Sequence, residues 1–286
     1  MTRVWVALLW LLHWLPLPAL AALGSFLGTL AYPLARERRK VTLTNLRLCF
    51  PEMSAADRET LGRRHLRLVM RSMLERNLCW WASAERMRRL VRIEGLERLR
   101  ALEGKPLILL VPHFVGLDMC ATRLALEINA ASVYSKQKDP VIDRLLYHGR
   151  TRFGDQFILS RQEGMRPIVK ALRAGRPLYY LPDMDYGPRD ALFVPFFGVP
   201  AATIPGVSRL ARLTGAVVLP CIARMLPDGY MLDIREPWAD FPGADAEADT
   251  LRMNAYIEAC VREAPEQYYW VHKRFKTRPP GESRIY

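Results

Sequence analysis

KPLILLVPHFVGLDMC, residues Lys105 to Cys120, joins an apolar run to a helical pattern through one short turn. The run from Pro106 to Val111 is typical of a buried strand, and Pro112 ends that strand. From Leu117 the apolar positions recur at helical spacing. The stretch therefore predicts a strand, a turn and a helix, with His113 at the carboxyl end of the strand.

Strand and helix patterns alternate along the rest of the chain. Four more short apolar runs predict strands: Phe157 to Leu159, Pro177 to Leu181, Ala216 to Ile222 and Gly229 to Ile234. Helical patterns occupy Leu117 to Ile128, Pro140 to Phe153, Met165 to Ala174, Pro205 to Leu213 and Ala246 to Glu263. This alternation predicts an α/β fold with a mostly parallel sheet flanked by helices, whose ligand sites lie beyond the carboxyl ends of the strands.

Length, charge and cysteine usage limit the class of protein. The 286 residues are enough for one large domain, and 50% hydrophobic with 25% charged residues excludes a disordered chain. The formal net charge of +13 suits a polyanionic partner, such as nucleic acid, an anionic membrane face or an acidic carrier protein. The five cysteines are scattered and form no C-x-x-C pair, which predicts reduced thiols in a cytosolic setting, without a disulfide framework or a zinc site.

The segment from Val4 to Leu34 contains no Asp, Glu, Lys or Arg. Because about 20 apolar residues can span a bilayer, it predicts a membrane anchor, and the basic cluster from Arg36 to Lys40 leaves the rest of the chain in the cytoplasm. Pro16 and Pro18 divide the segment, which fits a spanning or a half-inserted helix. A cleaved signal peptide is the alternative, because Ala19 to Ala21 resembles a signal-peptidase site, but the apolar stretch continues beyond it and favours a retained anchor.

Residues Ala55 to Trp81 predict a basic amphipathic helix next to the anchor. Its arginines, such as Arg67, Arg71 and Arg76, lie on the helix surface away from its apolar positions. The helix fits a core-packed role with a solvated arginine face or a role at the membrane surface. The predicted organisation is a membrane anchor with its basic flank in residues 1–40 and a cytoplasmic α/β domain in residues 41–286.

His113 and Asp118 are the candidate catalytic pair. Two residues five apart in one ideal helix diverge, but these two can meet if His113 lies in the turn and Gly116 lets the chain fold back. An acid bonded to one ring nitrogen fixes the tautomer and leaves the other nitrogen as a general base. The pattern also fits an Asp118 that only complements the helix dipole. No G-x-S-x-G elbow occurs, so a covalent intermediate is not indicated.

Four stretches resemble a known family. HFVGLD, from His113 to Asp118, matches the H-x-x-x-x-D motif of membrane-associated glycerolipid-type acyltransferases. Three others are similar to the late, lauroyl- or myristoyl-type acyltransferases of lipid A biosynthesis: NLRLCFPE at Asn45 to Glu52, LPDMDYGPRDALFVPFFGVPAATIPG at Leu181 to Gly206, and APEQYYWVHKRFKTRPPGE at Ala264 to Glu282. The resemblance extends from the anchor to the C-terminal region, in the same order.

The resemblance implies a glycerolipid-acyltransferase-like fold and transfer of a fatty acyl chain from acyl carrier protein to a hydroxyl of a Kdo-bearing lipid A precursor. It implies acyl carrier protein, the lipid A precursor and an anionic membrane surface as partners, at the cytoplasmic face of the inner membrane of a Gram-negative bacterium. Acyl carrier protein thioester would be the co-substrate, and no other cofactor is implied. His113 and Asp118 would be the catalytic pair, with Arg150, Asp183 and Asp185 in family elements near them.

The chemistry of thioester transfer agrees with these residues. Transfer to an alcohol needs a base for the hydroxyl proton and donors for the developing oxyanion. His113 supplies the base, while Arg150 or backbone N–H groups at the helix start by Gly116 could supply the donors. Asp183 and Asp185 lack a histidine or third acid nearby in the sequence, so no metal site is predicted.

An aromatic group and a basic C-terminal segment each allow two interpretations. The aromatic group Phe193, Phe196 and Phe197 predicts part of an acyl-chain slot, although it also fits a loop that covers the sheet. The basic C-terminal segment fits solvated charge or contact with phosphate and Kdo carboxylates, through Lys273, Arg274, Lys276 and Arg278. His65 and His148 are expected to be structural.

Two other functions stay open. A related acyltransferase could act on another glycolipid, such as a phosphatidylinositol mannoside. A basic protein that interleaves arginine with aromatic residues could also bind nucleic acid. The charges are spread over the whole chain, no recognition motif occurs and an apolar N-terminal segment does not fit such a role. We therefore expect no nucleic-acid partner.

Overall fold

A seven-stranded sheet lies at the centre of the protein. The computed structural model describes residues 2–160 and 163–286, and within them all five predicted apolar runs form strands. The strands of this sheet are β1 (Val91–Glu94), β2 (Leu107–Leu110), β3 (Ala131–Tyr134), β4 (Phe157–Ser160), β5 (Leu178–Tyr180), β8 (Val217–Met225) and β9 (Tyr230–Ile234). Their order is β1-β9-β8-β2-β5-β3-β4, and a separate antiparallel hairpin pairs β6 (Leu192–Phe196) with β7 (Val199–Thr203).

Most neighbouring strands are parallel, which confirms the predicted α/β class. Strand β2 lies between β5 and β8, is parallel to both, and has all its residues buried. Strands β8 and β9 pair antiparallel because the short link of residues 226–229 allows only a hairpin. Strands β2 and β5 therefore end at the same edge of the sheet, where the side chains that follow them meet.

Helices flank the sheet and precede it. In the described residues they are α1 (Thr2–Leu12), α2 (Leu17–Leu34), α3 (Arg36–Cys49), α4 (Ala55–Trp81), α5 (Ala84–Leu90), α6 (Leu96–Arg100), α7 (Leu117–Leu124), α8 (Pro140–Thr151), α9 (Arg166–Arg173), α10 (Gly206–Thr214) and α11 (Ala246–Glu263), with a 3-10 turn at Pro265–Gln267. Side-chain caps begin several of them: Ser54 accepts a hydrogen bond from a backbone N–H of α4, and Asp139 accepts two from α8. The predicted helices are all present, although α7 ends earlier than its apolar pattern does.

Helix α4 packs into the core. Its predicted bounds are confirmed, and Leu61 and Leu78 are buried on its inner face. The sequence predicts Arg71 on a solvated face, but Arg71 is only 7% exposed, donates to Glu75 at 2.5 Å, and Glu75 also accepts from the Tyr230 hydroxyl of β9. Periodicity could not reveal this buried network, because an arginine that faces a buried carboxylate has the same spacing as one that faces water.

Helices α1 and α2 form the apolar N-terminal segment, with the break at Pro16 where the sequence predicts it. Helix α2 is long and apolar enough to cross a membrane by length and composition, and it also packs along α4. A Cβ atom added at Gly24 would lie 2.6 Å from the Cα of Arg71, and one at Gly28 would lie 2.6 Å from the Cα of Arg67. Only glycine at these positions lets the two backbones approach so closely.

Helix α3 ties the C-terminal segment to the rest of the protein. It contains residue 40, so the predicted domain boundary falls inside a helix. Asn45 of α3 is fully buried, and its Nδ2 donates to the carbonyls of Trp270 at 2.7 Å and His272 at 2.8 Å. Its Oδ1 accepts from the Tyr286 hydroxyl. One side chain therefore binds three polar groups of the C-terminal segment.

We expect Asn45→Ala to lower the thermal unfolding midpoint. Leaving buried polar groups unsatisfied costs about 1–3 kcal/mol, which corresponds to roughly 2–6 °C for a chain of this size. Thermal unfolding in detergent, followed by circular dichroism, measures the change. Arg47→Ala is the matched control, because Arg47 is exposed on the same helix. An Asn45→Ala protein as stable as the Arg47→Ala control would contradict this anchoring role.

Candidate active site

His113 and Asp183 follow the neighbouring strands β2 and β5. Leu110 and Tyr180 end these strands and are paired in the parallel register. The Val111 N–H then donates to the Tyr180 carbonyl at 2.9 Å, which keeps the two chains together just beyond the sheet. Because both strands run in the same direction, the residues that follow them emerge at one edge.

Asp183 accepts two hydrogen bonds from His113. Its Oδ1 lies 2.6 Å from the ring Nδ1, and its Oδ2 lies 2.9 Å from the backbone nitrogen. Burial alone would raise the pKa of Asp183, but the imidazole and these hydrogen bonds outweigh burial and lower the pKa below its usual value. An ionised carboxylate only accepts hydrogen bonds, so Nδ1 carries the proton and Nε2 is left as the basic nitrogen.

Asp118 has a different partner from the predicted one. The His113 ring nitrogen binds Asp183, so the predicted hydrogen bond from His113 to Asp118 is wrong. Asp118 lies in the first turn of α7 and pairs with Arg76 of α4 at 2.5 Å. Burial opposes its charge, but Arg76 and then Arg150 lower the pKa of Asp118 below its usual value. Asp118 remains in the site through this charge cluster, and its catalytic role stays a prediction.

Arg76 and Arg150 lie beside Asp118 at the edge of an apolar cavity. Arg150 is exposed near the end of α8, and the side chain of Arg76 is 35% exposed. All three residues line the cavity. The structure therefore brings the predicted Arg150 to Asp118, and it adds Arg76, which the sequence pattern assigns to a solvated face.

The cavity lies between α4, α7, α8 and the strands β3 to β5, and has a volume of about 90 Å³. Apolar atoms form most of its wall. Gln156, which lines the cavity, donates to the carbonyls of Ile128 at 2.9 Å and Phe153 at 3.1 Å, and accepts from the Ala130 N–H at 3.0 Å. Ile158 of β4 lies two residues after Gln156 and also lines the cavity. Main-chain hydrogen bonds therefore fix this part of the cavity wall.

Phe193, Phe196 and Phe197 do not line this cavity. They lie on the β6–β7 hairpin, where the Phe197 ring is 5.0 Å from that of Phe50 and 6.3 Å from that of Trp270. Phe196 is fully buried in the same aromatic group. Phe196 and Phe197 therefore pack the hairpin against Phe50, which follows α3, and against the C-terminal segment, while an acyl slot at the three phenylalanines stays a prediction.

Asp185 organises the loop beside the catalytic pair. Its carboxylate accepts hydrogen bonds from the Gly187 N–H at 2.9 Å, the Thr277 N–H at 2.6 Å and the Thr277 hydroxyl at 2.8 Å. Its own N–H donates to His272 Nε2 at 3.0 Å. The carboxylate oxygens are thus occupied within the protein, which assigns Asp185 to the loop rather than to an oxyanion.

His272 lies next to the His113–Asp183 pair. Its position in the basic segment gave no sign of this in the sequence. It lines a small cavity together with His113 and Asp183. Burial, with the neighbouring His113, lowers the pKa of His272 to about 4. His272 is therefore neutral at pH 7, and its Nε2 accepts the hydrogen bond from the loop.

Basic side chains of the C-terminal segment bind partners within the protein. Arg274 is 2% exposed and donates to the Thr203 hydroxyl at 2.7 Å, so neither of the two interpretations, solvated charge or contact with phosphate and carboxylates, fits Arg274. Arg278 pairs with Glu282 at 2.5 Å. Lys276 is exposed. The sequence pattern missed the buried partners because they come from the β6–β7 hairpin.

Gly116 provides close packing rather than a left-handed turn. Its φ is −80°, which any residue can adopt, but an added Cβ would lie 3.2 Å from the carbonyl carbon of Arg224 on β8. The N–H groups of Val115 and Leu117 donate to main-chain carbonyls at 2.9 and 3.0 Å. These two groups are not available to an oxyanion, and a contribution from the Gly116 N–H stays a prediction.

The thiols near the site are inert. Cys79 lines the apolar cavity, and burial raises its pKa to about 12; burial also raises the pKa of Cys120 on α7. Neither forms a thiolate at neutral pH. His65 is buried, and its Nδ1 donates to the Glu266 carbonyl at 2.9 Å, as expected of a structural histidine. In residues 2–160 and 163–286, no group of three His, Cys, Asp or Glu side chains is placed to hold a metal ion.

A short pattern in the sequence could have identified the true partner of His113. Val111, Pro112 and His113 follow β2, and Leu181, Pro182 and Asp183 follow β5, so each strand ends with an apolar residue, a proline and a polar residue. Two such endings predict that the polar side chains meet only if the two strands are neighbours in the sheet. The sequence alone does not show which strands are neighbours. Arg76 and His272 have no comparable signal.

Comparison with known proteins finds a family and several relatives of this chain. The model of the bacterial lipid A biosynthesis acyltransferase family matches residues 1–277. The chain is 37% identical to the lipid A biosynthesis lauroyltransferase of Escherichia coli K12, covering 98% of this chain and 93% of that protein. It is 33% identical to the palmitoleoyltransferase of the same organism, covering 98% and 92%, and 34% identical to its myristoyltransferase, covering 94% and 83%.

One solved structure is similar at a lower level. It is the 1-acyl-sn-glycerophosphate acyltransferase of Thermotoga maritima, with a TM-score of 0.41 and 18% identity over 84% of this chain and 97% of that one, and this likeness carries no functional weight. The family match and the relatives span nearly the whole chain, and they establish its family and its activity. The chain belongs to the bacterial lipid A biosynthesis acyltransferase family, and it is an acyltransferase that transfers an acyl chain in lipid A biosynthesis.

Proposed function

We propose that the protein transfers a fatty acyl chain from acyl carrier protein to a hydroxyl of a Kdo-bearing lipid A precursor. The observation that carries the proposal is the His113–Asp183 pair, set beside the Arg76–Asp118–Arg150 cluster at the edge of an apolar cavity. A base, cations and a place for a hydrocarbon chain are the parts that thioester transfer to an alcohol requires.

His113 acts as the general base. Its Nε2 takes the proton of the acceptor hydroxyl as the hydroxyl oxygen bonds to the thioester carbon. The carbon–sulfur bond then breaks, and the imidazolium returns the proton to the leaving thiolate. Asp183, ionised and bonded to Nδ1, stabilises the imidazolium and keeps the ring in the required tautomer.

The arginine cluster stabilises the oxyanion. Arg150 is exposed and has no carboxylate within ion-pair distance in the described residues, whereas Arg76 is held by Asp118 at 2.5 Å. We assign Arg150 to the developing negative charge on the thioester oxygen, since a cation there acts most strongly when water is excluded. Asp118 holds Arg76 in place and limits the net positive charge of the cluster.

The apolar cavity holds the acyl chain. All four of Asp118, Arg150, Gln156 and Ile158 line it, and we place its mouth at Asp118 and Arg150, where the thioester would react, and its closed end at Gln156 and Ile158. A chain that fits gains about 0.8 kcal/mol per buried methylene, and a longer one meets fixed main chain. The cavity therefore sets the preferred chain length.

Location and partners follow from charge and from the apolar N-terminal segment. We propose that the protein works at the cytoplasmic face of the inner membrane of a Gram-negative bacterium, where both the lipid precursor and acyl carrier protein are available. The net charge of +13 favours an anionic membrane and an acidic carrier protein. Acyl carrier protein thioester is the co-substrate, and the proposed reaction uses no resident cofactor.

Donor and acceptor can be tested separately with the purified protein. We expect acyl carrier protein thioester to be used in preference to the coenzyme A thioester of the same chain, and a Kdo-bearing precursor in preference to the same precursor without Kdo. Product mass measures both, and lipid A from cells lacking the gene should be lighter by one acyl chain. Equal use of both acceptors would remove Kdo from the proposal, and unchanged lipid A would contradict the acceptor class.

The His113–Asp183 pair predicts similar losses for two substitutions. His113→Ala removes the base, and Asp183→Asn removes the acceptor that fixes the ring tautomer, so each should lower kcat about 10²- to 10⁴-fold with the fold intact. Asp190→Asn is the control, because Asp190 is exposed in the same loop and asparagine tolerates its φ of 60°. An Asp183→Asn enzyme that kept the kcat of the Asp190→Asn control would show that Asp183 does not position His113.

The cavity predicts a change in chain-length preference. Ile158→Ala should enlarge the closed end and raise kcat/KM for longer acyl chains, by about fourfold per methylene newly accommodated. Carrier-linked donors of graded length measure the profile. Phe193→Ala is the control, because Phe193 lies on the β6–β7 hairpin outside the cavity. The opposite result, a shift in Phe193→Ala alone, would restore the hairpin as the slot.

A further inference from the structure

We propose that residues 2–34 do not span the bilayer but lie along its surface, inserted into one leaflet, with Arg3 on the same side of the membrane as His113. The occupant of their exposed apolar face is an anionic lipid bilayer. The inference rests on the membrane location proposed above and is independent of the reaction. It follows from the way every part of this segment is bonded to the catalytic domain.

Helix α2 is docked along its whole length. Gly24 faces Arg71 and Gly28 faces Arg67, so α2 runs antiparallel to α4, with backbones so close that an added Cβ would come within 2.6 Å of Cα atoms. Near its two ends, Leu20 and Tyr32 of α2 are buried as well. A helix held in this way has the orientation of α4, which is itself part of the core.

The start of α1 and the turn between α1 and α2 are also bonded to the domain. The Thr2 hydroxyl donates to Asp139 at 2.8 Å, and Asp139 is the residue that caps α8. At the turn, Arg86 at the start of α5 donates to the carbonyls of His13 and Leu15. The beginning, the turn and the second helix of the segment therefore all touch the domain that carries His113.

A spanning arrangement conflicts with these contacts. If α2 crossed the bilayer in its docked position, the adjoining part of α4 would enter the hydrocarbon core with Arg67 and Arg71. Charged side chains are strongly disfavoured there. Arg71 is also tied to Glu75 at 2.5 Å and to the Leu226 carbonyl at 3.2 Å, so it cannot move to an interface. If α2 instead left α4, its small-residue contact would be lost along the whole helix.

The outer face of the segment matches a membrane surface. Its large apolar side chains are exposed, among them Trp5, Trp10, Trp14, Phe26, Leu30 and Leu34. Tryptophan is the residue that favours the headgroup level. Exposed basic side chains flank the apolar face, at Arg3, Arg36, Lys40 and Arg89. An apolar face with a basic border fits the surface of an anionic leaflet.

Cysteine labelling of the full-length protein in membranes tests the arrangement. All five native cysteines are buried, so an Arg3→Cys variant carries one accessible thiol. A membrane-impermeant maleimide should label it in inverted inner-membrane vesicles but not in intact spheroplasts, with the same sidedness as Lys170→Cys, an exposed control on α9. Labelling from the periplasmic side would overturn the proposal.

A second variant covers the case in which lipid shields the Arg3→Cys thiol from both sides. The Thr2 and Asp139 side chains are in hydrogen-bond contact, so a Thr2→Cys/Asp139→Cys protein should form an intramolecular disulfide in oxidised membranes. A spanning segment would separate the two positions by about 30 Å and prevent it. Absence of this cross-link would overturn the proposal. Neither measurement depends on acyl transfer, so failure here leaves the proposed function to be judged by its own assays.

Discussion

The Asp183 carboxylate binds His113 twice, once at the ring and once at the backbone, and the rest of the site depends on these two hydrogen bonds. They join the loop after β2 to the loop after β5 and fix the ring at the same time. The C-terminal segment closes the other side, where the Tyr269 N–H donates to the His113 carbonyl at 2.9 Å. Because a buried carboxylate without its partner is costly, this contact stabilises the fold as well as orienting the base.

The sequence predicts the local features and misses those that depend on which strands are neighbours. The strand before His113, the helix α4 and the break at Pro16 were all predictable, since each is a matter of spacing along one short segment. The choice of Asp183 over Asp118 depends on β5 lying beside β2, and strand order is not encoded in a local pattern. The motif spacing placed the candidate histidine at the end of a strand, but it gave the ring the wrong acid.

Buried charge was the second source of error. Arg71 and Arg274 both lie in basic clusters that the sequence assigns to solvent or to ligand, yet each is buried against partners distant in the chain. The aromatic residues Phe196 and Phe197 raise the same difficulty, because core and ligand slot call for the same side chains. In all these cases the residue type indicates the kind of environment that the side chain needs. Only the groups that it contacts show whether its role is structural or functional.

Helix α4 connects the apolar N-terminal helix α2 to the candidate active site. On one side its backbone at Arg67 and Arg71 supports α2, and further along the same helix Arg76 pairs with Asp118 at the edge of the cavity. Nine residues separate Arg67 from Arg76, a rise of about 14 Å along one continuous helix. In the proposed arrangement α4 lies along the membrane surface with α2, so this separation fixes the lateral distance between the docked helix and the acylation site. A lipid acceptor could then present its hydroxyl to His113 while its own acyl chains stay in the leaflet.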